Sequence, residues 1–141
     1  MLRLVDTGET AAARNVPFAQ MQVAGEQELP AALEAAGLSL GDVSEVVLAH
    51  GRGDHMDGPV HVHQRVLVND AELEYAGSPF ARLMRGILRQ PLPAGFAPEP
   101  FTFDGGPFGA FPRSRALSDD GRMLPSTRVA HAAPRVGDLH R

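Results

Sequence analysis

The sequence predicts an α/β fold, and three features carry that prediction. Residues 43 to 49, VSEVVLA, are β-branched and nearly continuous in apolar character, as expected of a strand covered on both faces. Residues 26 to 36 place Leu29, Leu33 and Ala36 at helical spacing and run into Gly37, which offers a left-handed stop. Residues 60 to 68 read as a second strand, separated from the first by the polar, glycine-bearing loop HGRGDHMDGP.

The elements follow in order. A short strand, Leu2 to Val5, is stopped by the turn-forming triplet Asp6-Thr7-Gly8. The helix of residues 26 to 36 and the strand of residues 43 to 49 come next, and the strand delivers His50 to the loop. Beyond the second strand, Asp70 can cap a helix running through Tyr75. Ser78 or Pro79 can open another, in which Phe80, Leu83, Met84, Ile87 and Leu88 share one face while the arginines turn to water. Residues 90 to 112 hold six prolines and five of the seven phenylalanines, a long irregular stretch for a compact domain. It reads either as a lid or as a connector whose aromatics plug the core edge. Asp120-Gly121 suits a hairpin turn. The expected sheet is mixed, flanked by helices on one side, with an incomplete second sheet beside it.

Composition narrows the function. The 141 residues make one domain, 1–141, and 43% hydrophobic against 21% charged residues is a globular balance. Fifteen glycines and 12 prolines are more than short helices and strands absorb, which favours a site built on loops. A net charge of −4 with no run of like charges lacks the electrostatic footprint of a nucleic-acid or anionic-membrane binder, so neither partner is expected. The absence of cysteine excludes a disulfide framework, thiolate zinc sites and a cysteine nucleophile; any metal must be held by histidine and carboxylate. No apolar stretch is long enough for a signal peptide or a membrane span, and a cytoplasmic, soluble protein is expected.

His50, Asp54 and His55 lie within six consecutive residues of the central loop. Two imidazoles and a carboxylate suit zinc, iron or manganese, while a polar surface loop that happens to carry two histidines is the plainer account. Adjacent side chains at Asp54 and His55 diverge, so they can serve different ions. His61 and His63 alternate along a strand and share one face, either as substitute ligands or as part of a solvated face. Asp57 either orients a ligating histidine or simply ends a turn before Gly58, and His140 belongs to a frayed end.

The segment VVLAHGRGDHMDG resembles the signature of the metallo-β-lactamase-fold hydrolases, in which a strand ends in His-x-His-x-Asp-His and a glycine follows shortly; His50, Asp54, His55 and Gly58 match it. VDTGET is similar to that family's early turn after a strand, EQELPAALEAAGL to its first helix, and RVLVNDAELEYAGSPFARLMRGILRQP to a stretch of its acyl-homoserine-lactonase-like branch. The resemblance implies an αββα sandwich with one or two zinc ions at a loop-lined edge, where activated water attacks a lactone, ester or amide carbonyl. It implies His50 and His131 as ligands of one ion and Asp54 with His55 as ligands of the other, Asp54 also being the catalytic carboxylate.

Three departures qualify the match. Arg52 stands where the signature has its second histidine. The C-terminal part reads TRVAHAAPRVGDLHR where the family has Pro-Gly-His-Thr-Pro-Gly-His, leaving His131 as the counterpart. The sandwich is expected to be incomplete, with the chain short at both ends and fewer than the three protein ligands a catalytic zinc normally takes, so one ion or none is expected. Two functions follow: a metal-dependent hydrolase of small acyl lactones or related esters, and a catalytically silent remnant or binding and assembly module of the same fold. An uncovered sheet face would drive self-association.

Overall fold

The structure, a computed structural model, describes residues 2–10, 22–51, 53–58, 64–87, 96–117, 121 and 123–125, with the backbone alone described at 53, 54, 85, 87 and 123–125. Two compact units divide the chain, residues 1–101 and residues 102–141.

The first unit is α/β. Its strands are β1 (Leu2–Val5), β2 (Val43–Leu48), β3 (Arg65–Asn69) and β4 (Glu99–Phe101), hydrogen-bonded in the order β1-β2-β3-β4. Every pairing is parallel, where a mixed sheet was expected. Parallel neighbours need crossover connections, and helices occupy them: α1 (Leu29–Ala35) before β2, the short α2 (Gly53–Met56) before β3, and α3 (Asp70–Gly77) with α4 (Pro79–Ile87) before β4. No helix among the described residues is long and apolar enough to cross a membrane.

Register explains which residues meet. Leu4 lies beside Val46, Val46 beside Val66, and Leu48 beside Val68. Alternation puts these on one face, where Val46, Leu48, Val66 and Val68 join Leu33 and Met56 in the core. The opposite face carries Val47 and Leu67, which are buried as well. The near-continuous apolar run of β2 is thus explained by burial on both sides. Arg3, Glu45, Arg65 and Glu99 form a charged row across all four strands of that opposite face. Arg3 Nε donates to Glu45, Arg65 Nη1 donates to Glu45 Oε2 at 3.0 Å, and Arg65 Nη2 donates to Glu99 Oε2 at 2.6 Å.

The helices depart from expectation at their ends. α1 begins at Leu29 rather than residue 26, behind a separate 3-10 turn over Gly25–Gln27, because Pro30 has no N–H and suits only a first turn. It closes as expected: Gly37 takes φ 73°, and Leu38 N–H donates to Leu33 O at 2.8 Å. α3 is capped by Asn69, whose side chain accepts from Ala71 N–H at 3.2 Å, and it runs on to Gly77. Ser78 Oγ accepts from Ala81 N–H at 3.2 Å at the start of α4.

α4 presents the larger surprise. Phe80 and Leu83, expected to face the core, are 60% and 61% exposed, while Ala81 is buried. Helical spacing decides which residues share a face, and tertiary packing decides which face is covered. Expected strand residues 60–63, with His61 and His63, lie outside the described residues. Within the irregular stretch, Phe101 of β4 is buried and Phe96 packs against the core, which is the connector reading of those aromatics.

The second unit contains an antiparallel pair, β5 (Ser114–Ala116) with β6 (Met123–Pro125). Gly121, between them, has φ 78°, as the expected hairpin turn requires; Asp120 lies outside the described residues. Ser114 is fully buried and its Oγ donates to Gly106 O at 2.8 Å.

Candidate functional site

In a parallel sheet the strands exit at one edge, and the loops beyond their carboxyl ends are where open α/β proteins place ligands. Here β1 exits into Asp6-Thr7-Gly8 and β2 into Ala49-His50. Asp6 carries the hydrogen-bond ladder one step past β1, its N–H donating to Val47 O at 2.9 Å. It then turns the chain with φ 59°, a left-handed conformation that aspartate tolerates better than most residues.

That turn clamps the loop from its beginning to its end. Asp6 Oδ1 accepts from Ala49 N–H at 2.7 Å, ahead of His50. Thr7, buried, donates both its N–H (2.8 Å) and its hydroxyl (3.2 Å) to the carbonyl of His55. Gly58 N–H donates to Gly8 O at 3.0 Å. Gly58 itself admits no side chain: a Cβ there would stand 2.2 Å from the Thr7 carbonyl oxygen. The glycine of the motif is therefore required by close backbone packing.

Asp6 Oδ2 lies 2.8 Å from His55 Nδ1. An ionised carboxylate only accepts, so Nδ1 is the nitrogen that donates to Asp6, and in the neutral imidazole this leaves the lone pair on Nε2. The His50 ring sits beside it, with centroids 3.9 Å apart and planes tilted by 56°. His50, just beyond β2, and His55, within α2, are thus brought together, with Asp6 orienting one of them. Neutral imidazoles so placed have the donor chemistry to offer ring nitrogen to a cation.

No protein-family model matches the chain, and a search of curated proteins returned no match.

Among the described residues no group of three or more His, Cys, Asp or Glu side chains is arranged to hold a metal ion. The two histidines nevertheless have the donor chemistry zinc accepts, and a carboxylate behind a ligating imidazole is its usual support. Of the other residues expected at the site, the side chain of Asp54 and all of Arg52 and His131 lie outside the described residues.

Asp6 is the functional residue that sequence reasoning missed. Its triplet was legible as a turn, and VDTGET belongs to the resemblance. The reach of its carboxylate to residues 43 and 49 positions away is a tertiary fact.

Proposed function

We propose that this chain is a metal-dependent hydrolase of small acyl lactones or related esters, built on a metallo-β-lactamase-like αββα sandwich. The observation that carries the reading is the pairing of His50 with an Asp6-oriented His55, on the loop that carries the signature and at the carboxyl edge of the sheet. Zinc held there would polarise the ester carbonyl and acidify water. His50 and His55 offer ring nitrogens, Asp6 keeps the proton of His55 on Nδ1, and Asp54 and His131 are the further ligands the resemblance implies. Asp54 is also its catalytic carboxylate. A cytoplasmic location and a small-molecule partner accompany this reading.

The second reading is a silent remnant or a binding module, and Arg52 favours it. At an effective dielectric of about 20, a guanidinium a few ångströms from a divalent ion is repelled by several kcal/mol, in addition to the lost coordination bond.

Zinc titration by calorimetry, with lactone hydrolysis followed in parallel, separates the two. The hydrolase reading expects zinc binding that His55→Ala abolishes and Arg52→His tightens, because that change removes a fixed charge and adds a donor. Hydrolysis should improve less than binding. No bound zinc in any variant favours the module, and equal affinities for the native chain and Arg52→His would show that residue 52 does not border a metal.

A further inference from the structure

The residues 1–101 unit contains a cavity of about 260 Å³ on the core side of the candidate loop. Its lining is mainly apolar: Leu48, Met56 and Val68 from the core, Leu73 from α3, and Phe96. The cavity is half open to solvent, and water gains little against its apolar walls. An apolar void of about 150 Å³ already takes up benzene, so in proportion this one accommodates about ten non-hydrogen atoms.

Two charged side chains also line it, Glu72 of α3 and Arg82 of α4. One accepts hydrogen bonds and the other donates them. A neutral head that both donates and accepts can satisfy the pair, whereas an anion or a cation is repelled by one of them.

We infer that this cavity binds a small molecule with an apolar chain or ring and a neutral hydrogen-bonding head, such as a primary amide or an alcohol. Leu48 lies two residues before His50, Gly51 follows His50 and Met56 follows His55, and all three line the cavity. The bound molecule therefore touches the loop that carries both imidazoles, and it can arrive as the tail of a substrate or as a separate ligand. The inference stands without zinc.

The test is calorimetric titration of the full chain, free of added metal, with octanamide. Gly77 and Ala76 line the cavity, and a Cβ at Gly77 meets nothing within 4 Å, so a side chain can start there without displacing backbone. Saturable binding is expected, weakened at least about tenfold by Gly77→Leu and by Ala76→Leu, with circular dichroism confirming that both fold. Arg82→Gln should weaken octanamide and leave naphthalene, which has no head group, unchanged. A lactone with an eight-carbon tail that displaces octanamide identifies the occupant as a substrate tail; one that does not identifies a separate ligand. Absence of saturable binding, or binding indifferent to both filling substitutions, overturns the inference.

Discussion

Asp6 joins three functions in one side chain: it turns the chain at positive φ, anchors Ala49 and orients His55. Asp6→Asn separates them. The amide oxygen can still accept from Ala49, but the amide nitrogen cannot accept from His55, so the imidazole loses its preferred tautomer. Under the proposed function, zinc affinity should fall about 10- to 100-fold, with a matching change in the His55 nitrogen resonances. An unchanged affinity would leave Asp6 as a loop clamp alone. Gly58 tests the clamp without touching donor chemistry. Gly58→Ala should cost about 1–3 kcal/mol, because the new Cβ meets backbone, which cannot rotate aside as a side chain can. Urea unfolding measures it, and a cost below about 0.5 kcal/mol would mean that the turn moves freely away from the loop.

At the scale of elements, local chemistry fixed the existence of helices and strands, and packing adjusted them. The α1 stop at Gly37 was legible because it depends on neighbours in sequence, whereas the cap of α3 falls on Asn69, one residue before the expected Asp70. The exposure of Phe80 and Leu83 was not legible, because which face of a helix is covered depends on what packs against it, and that is not a local property. A local device also sets an acid response. The 3-10 turn over Leu40–Asp42 precedes β2, and Asp42 Oδ2 accepts from the hydroxyl and N–H of Ser39 at 2.7 and 2.8 Å. The Ser39 hydroxyl foremost, then its N–H, holds the Asp42 carboxyl below its ordinary 3.8. A depressed carboxylate contributes stability above its unfolded value, and that contribution fades as pH falls through the folded one. Asp42→Asn should therefore lower stability at neutral pH and lessen its loss below about pH 4, measured by thermal melts across the acid range. Parallel curves for the two proteins would show that the turn does not report on Asp42.

Across the chain as a whole, the row Arg3–Glu45–Arg65–Glu99 ties strands that are distant in sequence. Glu45 is buried, and its charge is tolerable only while guanidinium groups answer it. Arg3→Met should cost about 1.5–3 kcal/mol in urea unfolding, the scale of a hydrogen bond to a charged group. Removing Arg65 as well should cost more than the two single losses together, since each arginine can partly cover for the other; simple additivity would show that Glu45 is solvated by another route. The exposed apolar surface of Phe80 and Leu83 lies on a helix, not on the central strands, and any self-association of this unit has that surface available to it. Composition and short-range pattern account for one set of these features. The α/β class, the doubly buried β2, the glycine stop of α1 and the imidazoles at the exit of β2 are of this kind, because side-chain pattern and backbone preference act within a few residues. Which partners meet across long separations is settled by packing instead. The parallel pairing of all four strands, the exposed face of α4, the reach of Asp6 to His55 and the cavity behind the loop depend on the order in which strands pack side by side, and no local pattern encodes that order.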